Sequence, residues 1–245
     1  MKLARLGDGP EIFFSLQGEG KNQGAPSVFV RTSRCNLYCA WCDTPYTWNW
    51  AGTAFAHESA PKYDMAAQTL ELDVGAVAAI VRGFPCRRLV LTGGEPMLQP
   101  GDCAALVREL RSTEPRYAVE METNGTLLPP PELDAVVDQY TVSPKLESSG
   151  VKRALRLEPR ALAFFAATSK SVFKFVVAGD GDVAQVAEIV SAHAIDPDRV
   201  YLMPKASSAA QLTALGPSVA AACLAMGYRF SDRLHIHLFG NRPGV

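Results

Sequence analysis

The chain has 245 residues, 48% of them hydrophobic, and 24 Lys and Arg against 25 Asp and Glu give a formal net charge of -1. That length and apolar content can bury a sizeable core, and the balanced charge, without a polybasic arm, argues against a nucleic-acid binder that works through an overall positive field. Lys2 and Arg5 run at once into Gly7-Asp8-Gly9-Pro10 and no 18 apolar residues stand together, so the expectation is a cytoplasmic protein with no membrane partner.

In chain order, short β-branched runs alternate with helical patterns. Strands are expected at 27–31, 88–92, 117–122, 140–143, 172–177, 199–203 and 234–239. Helices are expected at 74–82 behind an Asp73 cap, and at 102–111, 132–138, 160–167, 183–193 and 208–226, with a break at Gly216-Pro217 left open. Such repetition argues for right-handed βαβ units and a parallel sheet. About six or seven strands fall short of a closed eight-stranded barrel. The expected fold class is therefore α/β, an open, partial (β/α) barrel in a single domain over residues 1–245, with a doubly wound sheet as the alternative. Residues 45–68 carry Trp48, Trp50, Gly52, Pro61 and Tyr63 without a clear period, and read as an ordered cover.

A reducing compartment turns six cysteines towards metal or packing rather than disulfides. Cys86, Cys103 and Cys223 sit among apolar neighbours and read as structural thiols. Cys35, Cys39 and Cys42 instead stand at C-x3-C-x2-C with no fourth cysteine near. Three thiolates on a four-iron cluster leave one iron with open coordination positions. A structural zinc is the alternative, but it takes four Cys or His ligands, and the nearest histidine, His57, lies beyond the Trp-, Pro- and Gly-rich stretch.

Other chemistry falls at the ends of expected strands. Thr92 precedes Gly93-Gly94-Glu95-Pro96, where paired glycines serve either a plain turn or the close approach of a ligand to backbone. Glu120, Glu122 and Asn124 share one strand face, which is either a solvated rim or a lumen holding a ligand or counter-charge. Ser143-Pro144-Lys145 ends the next strand, with Lys145 either a solvated loop residue or a cation at the barrel mouth. Gln17-Gly18-Glu19-Gly20 precedes the strand that ends in Arg31.

The cysteine spacing resembles the radical S-adenosylmethionine (SAM) superfamily. Taken together, S-x-Q-G-E-G, F-V-R, C-N-L-x-C-x-W-C-D-T, L-T-G-G-E-P, E-T-N-G and S-P-K, over residues 11–145, resemble the 7-carboxy-7-deazaguanine synthase family, with a weaker match at Arg233-Leu234-His235. The resemblance implies a partial, modified (β/α) barrel of the radical SAM type and a lyase that converts 6-carboxy-5,6,7,8-tetrahydropterin to 7-carboxy-7-deazaguanine with loss of ammonia, on the route to the tRNA nucleoside queuosine. It implies a 4Fe-4S cluster on Cys35, Cys39 and Cys42, SAM as cofactor, and magnesium at Thr44, whose other readings are a turn hydroxyl before Pro45 or a neighbour of the competing ligand Asp43. It further implies SAM contacts at Gly93, Gly94, Glu95, Asn124, Ser143 and Lys145, and substrate contacts at Gln17, Glu19, Arg31, Thr92, Glu122 and His235. His235 and His237 share one face of the last expected strand, so the choice between them is open, as is the reach of the tail from Asn241. Flavodoxin or ferredoxin as reductant and a homodimer are expected on the same ground. The competing classes are a glycyl-radical-enzyme activase, which shares the cysteine spacing, and a non-enzymatic iron-sulfur or zinc module.

Overall fold

In the computed structural model, which describes all 245 residues, antiparallel strands lead into a repeated strand-helix pattern. Strands β1 (Lys2–Leu6), β2 (Gly9–Pro10) and β3 (Ile12–Leu16) precede β4 (Pro26–Thr32). β3 lies antiparallel along β4, with Ile12 opposite Val30 and Leu16 opposite Pro26, while β1 meets the other end of β4 through Leu3 opposite Thr32. After the cover segment, α1 (Met65–Gln68) and β5 (Thr69–Glu71) return the chain to β1. Helix α2 (Val74–Arg82) then starts where Asp73 accepts the Ala76 N–H, the cap its position suggested. From there the units alternate: β6 (Arg88–Gly93), α3 (Pro100–Thr113), β7 (Ala118–Thr123), α4 (Pro131–Asp134), β8 (Gln139–Val142), α5 (Arg153–Arg156), α6 (Pro159–Ala167), β9 (Ser171–Val177), α7 (Asp180–Ala192), β10 (Val200–Pro204), α8 (Ala209–Met226), β11 (Arg229–Phe230) and α9 (Leu234–Phe239).

The parallel part runs β4-β6-β7-β8-β9-β10-β11, and no strand joins β11 back to the β1–β2 edge, so the sheet stays open. Alternate residues divide its two faces. Val30, Leu91, Met121, Val142, Phe175 and Leu202 belong to a core of 38 buried residues beneath the helices. Met121 is fully buried there, and truncating it to Ala is expected to cost about 2–5 kcal/mol. The opposite parity carries Arg31, Thr92, Glu122, Thr141, Lys174 and Met203, one from each of six strands, and all six line a single cavity. Only a curved sheet brings six neighbouring strands onto one cavity. The register sets Arg31 beside Thr92 and Glu122 beside Thr141, which makes the polar lining continuous.

Several elements differ from expectation. Residues 234–239 form the helix α9, not a strand. Leu-His-Ile-His-Leu-Phe alternates, but so short an apolar run does not separate the two periods. Only Ile236 is buried, against Ala206 and Leu212, and the strand position beside β10 goes to Arg229–Phe230 after Gly227 turns the chain in the left-handed region. The helix expected over 132–138 is a single turn. Helix α8 runs unbroken through Gly216-Pro217; in length and composition it matches a membrane-crossing helix, but it packs Leu212, Val219 and Cys223 inward as the crossover from β10 to β11. The small antiparallel strands were not anticipated. The segment over 45–68 does fold as a cover: Trp48 is buried, Trp50 pairs with Tyr63, and Phe55 stacks on Tyr38 at 4.1 Å between ring centroids.

Candidate active site

The loop that leaves β4 carries the three cysteines, and all three face one cavity of about 770 Å3. Two glycines shape this loop. Gly93 has φ +143°, and a Cβ there would stand 2.3 Å from the Thr32 carbonyl oxygen, while one on Gly94 would stand 2.0 Å from that of Arg34. The Gly94 N–H donates to Thr32 at 3.0 Å and the Glu95 N–H to Arg34 at 2.8 Å. The missing side chains thus admit the protein's own backbone on its way into Cys35.

All six cysteines are free, and burial pushes the three loop thiols up, Cys39 to about 12. A metal reverses that penalty, because a coordinating thiol is deprotonated outright. The donor set fits a cluster better than zinc. Structural zinc takes four Cys or His ligands, and the loop supplies three. His57 is also committed elsewhere: its Nδ1 accepts the N–H groups of Ser59 at 3.1 Å and Ala60 at 2.8 Å, and its Nε2 lies 2.7 Å from the Cys42 carbonyl oxygen. Nδ1 acting as acceptor puts the proton on Nε2, so neither nitrogen is left for a metal. Three thiols packed with Leu37 and Val151 match in number the protein ligands of a four-iron cluster that keeps one iron open.

Another part of the cavity wall is built from charge. Glu19 pairs through Oε2 with Lys174 of β9 and through Oε1 with Arg233 Nε at 2.9 Å. Burial opposes the charge on Glu19, but Lys174 and Arg233, with His235 Nε2 at 3.9 Å, hold its carboxyl well below the usual carboxylate range. Arg233 also reaches Asp43 at 2.6 Å and the Ala206 carbonyl at 2.5 Å, which ties the helix α9 to the cysteine loop. Gln17 Nε2 lies 3.4 Å from Glu120 and 3.2 Å from Glu122, whose other oxygen takes the Thr92 hydroxyl at 2.7 Å. The acidic face of β7 is therefore lumenal. Glu120 itself does not line the cavity: it is almost fully buried beside it, where burial and then the Glu122 charge push its carboxyl up. Arg31 donates through Nε to Glu11 at 2.7 Å, and Glu11 also accepts the Tyr46 hydroxyl at 2.9 Å.

Of the residues singled out from sequence, Gln17, Glu19, Arg31, Cys35, Cys39, Cys42, Thr44, Thr92, Gly93, Gly94, Glu122, Asn124, Ser143, Lys145 and His235 line this cavity. Glu95 does not. Its fully buried carboxylate accepts the Met97 N–H at 3.0 Å, the Thr123 hydroxyl at 2.8 Å and the Asn124 N–H at 2.7 Å, so it orients Asn124 from behind the wall. Lys145 donates to Ser143 at 2.9 Å and lies 5.9 Å over the Trp41 ring. The Thr44 hydroxyl caps no turn and meets only the Cys42 sulfur, at 3.6 Å. On a helix, two positions apart means about 200° of rotation: His235 faces the cavity against Gly18, and His237 faces Asp232 at 3.2 Å outside it. The tail from Asn241 to Val245 also lines the cavity. Glu11 and Lys174 are absent from the sequence-based set and Arg233 enters it only through the weaker match with no role, although a lone lysine in the apolar run Ser171–Val177, at the parity of the lumen, is a usable signal for one of them.

Residues 29–149 match the Radical SAM superfamily. A 7-carboxy-7-deazaguanine synthase of Pyrobaculum aerophilum is 39% identical over 236 residues, covering 96% of this chain and 95% of the relative. One of Rhodopirellula baltica is 35% identical over 245 residues, covering 96% and 87%. Among solved structures, QueE from Escherichia coli is similar with a TM-score of 0.63 at 24% identity, over 96% of this chain and 95% of the other. That likeness speaks to fold, the partial, modified (β/α) barrel of the radical SAM type. Neither relative is named as an activase or as a non-enzymatic module. Near full-length identity, the cysteine loop and the open barrel agree that the chain belongs to the 7-carboxy-7-deazaguanine synthase family of radical SAM enzymes.

Proposed function

We propose that this chain is a carbon-nitrogen lyase that converts 6-carboxy-5,6,7,8-tetrahydropterin to 7-carboxy-7-deazaguanine with loss of ammonia, in queuosine-type 7-deazapurine biosynthesis. The observation that carries the reading is a single cavity holding three thiols together with Gln17, Glu19, Glu122 and Arg31. Bound there, a 4Fe-4S cluster on Cys35, Cys39 and Cys42 and SAM supply hydrogen-abstracting radical chemistry. The chain's own residues bind and orient.

For SAM, the backbone at Gly93 and Gly94, the Asn124 amide, Ser143 and Lys145 form the polar wall beside the cysteines, and Lys145 offers the cation for a carboxylate. Glu95 acts only through Asn124. For the pterin, Glu19 stays ionised between Lys174 and Arg233 and retains lone pairs for ligand N–H groups. Gln17, Thr92 and Glu122 extend that acceptor edge, and His235 closes it beside Gly18. Arg31 spends Nε on Glu11, while its two terminal nitrogens have no protein partner and suit the substrate carboxylate as a fork. Thr44 presents a hydroxyl not used by a turn, and Arg233 holds Asp43, so magnesium at this point would take one protein oxygen and fill its shell with water and substrate. On the same reading the protein works as a cytoplasmic homodimer that receives electrons from flavodoxin or ferredoxin.

The test is anaerobic incubation of purified protein with SAM, dithionite, magnesium and the carboxytetrahydropterin. Formation of 7-carboxy-7-deazaguanine is expected. SAM cleavage without consumption of the pterin overturns the substrate, and no SAM cleavage overturns the reaction class.

A further inference from the structure

The turn Cys39-Ala40-Trp41-Cys42 has little of its own to hold it, a single Cys42 N–H to Cys39 carbonyl bond at 3.1 Å. It is clamped from two sides. On one, the Ala40 N–H donates to Ser149 at 2.9 Å and the Trp41 ring N–H to Ser148 at 2.8 Å. On the other, the turn's own carbonyls are taken by the cover segment: Ala40 by the Glu58 N–H at 2.7 Å, and Cys42 by His57 Nε2 at 2.7 Å.

We propose that His57 is a positioning residue of the cysteine loop, holding the Cys42 carbonyl through an imidazole fixed as the Nε2–H tautomer. The inference rests on the reading of Cys42 as a cluster ligand. The two backbone N–H groups at Nδ1 leave Nε2 as the donor, so the ring enters the loop contact already oriented. It joins two loops with one ring: Nδ1 closes the turn over residues 57–60, and Nε2 fastens that turn to the residue that carries the third thiol. Glu58 pins the outer edge of the segment to Lys205 at 3.2 Å. Holding the Cys42 carbonyl restricts the rotation of its peptide and so the direction of the sulfur. Outer-shell partners that hydrogen-bond a ligating side chain are worth about 10–100-fold in metal affinity or activity when lost, and a partner on the ligand residue's backbone is expected at the lower end of that range.

Two substitutions separate the bonds. His57→Asn keeps an acceptor where Nδ1 stands but is too short to reach Cys42, and His57→Gln keeps a donor near Nε2. Phe55→Ala loosens the cover at Tyr38 without touching Cys42. Holoprotein is exposed to air and loss of the cluster is followed by absorbance and iron content. Separately, the full-length cluster-free chain is treated with iodoacetamide, and alkylation of Cys42 is read by mass spectrometry against buried Cys103. His57→Asn is expected to lose the cluster about tenfold faster than wild type and to expose Cys42 to faster alkylation, while His57→Gln and Phe55→Ala stay near wild type in both. His57→Asn behaving as wild type, His57→Gln failing like His57→Asn, or Phe55→Ala reproducing the effect would overturn the assignment. A wild type that never holds iron defeats the cluster reading instead, and the alkylation result still decides the role of His57.

Discussion

Glu19 is the hub on which two buried cations depend, and this sets an order of stabilities among its variants. Lys174 and Arg233 have side chains only 7% and 9% exposed, and Glu19 is 14% exposed. Breaking a buried pair by removing one partner costs about 3–5 kcal/mol, because the other charge is left uncompensated. Glu19→Gln leaves Lys174 with only the through-space charge of Glu122, while Arg233 keeps Asp43 and the Ala206 carbonyl. Lys174→Met leaves Glu19 still paired with Arg233, so it is expected to cost about half as much. Removing both partners restores much of the loss, because no buried charge remains unpaired. For a chain of this size, about 4 kcal/mol corresponds to a fall in Tm of roughly 8–16 °C. Denaturant unfolding of wild type, Glu19→Gln, Lys174→Met and the double variant, followed by circular dichroism, yields the coupling energy of the cycle. A coupling under about 0.5 kcal/mol, or a Glu19→Gln variant no less stable than Lys174→Met, would refute the hub.

The native Glu19 carboxyl lies below its unfolded value of about 4.3, so its contribution is complete above that pH and drains as pH falls towards the native value. The acid limb of stability is therefore expected to be flatter in Glu19→Gln, as thermal melts between about pH 6 and 3 would show. Replacing any of Cys35, Cys39 or Cys42 by Ala should abolish the brown colour and bound iron, whereas Cys103→Ser and Cys223→Ser should retain both, by iron analysis after anaerobic reconstitution. Arg31→Lys should weaken pterin binding by about tenfold or more in calorimetry with the SAM-loaded protein, since a point charge cannot serve Glu11 and a ligand carboxylate with one planar fork. Thr44→Ala should blunt the response of turnover to magnesium without changing iron content; an unchanged magnesium titration would return Thr44 to a purely local role.

The parallel strands β4 and β6 to β10 and the motifs at their ends were legible because both obey short-range rules. Alternation fixed which of Leu91, Met121 and Phe175 face the helices, and Gly93 and Gly94 stand where a Cβ would strike backbone. Glu95 shows the limit of such reading. The motif carries it to the site, but three donors from its own neighbourhood turn its carboxylate away from the cavity. The last helix failed for a related reason: six residues with alternating polarity satisfy either period, and the decision fell to Ile236 finding Ala206 and Leu212. The charge network was hidden by distance along the chain. Glu19 lies 155 residues from Lys174 and 214 from Arg233, so neither pairing leaves a local pattern. A lysine flanked by Phe173 and Phe175 reads as an interruption until the curvature of the sheet brings β9 across from the loop behind β3. The lysine is tolerable in that strand only because Glu19 arrives there, and Glu19 stays charged inside the barrel only because Lys174 and Arg233 await it. Each residue is locally unfavourable and becomes favourable once the sheet has curved. The electrostatics of this site are thus a property of the assembled barrel, which is why substitutions at Lys174 in β9 and at Arg233 ahead of α9, far along the chain from Glu19 and the cysteines, are expected to disturb it as strongly as substitutions at Glu19.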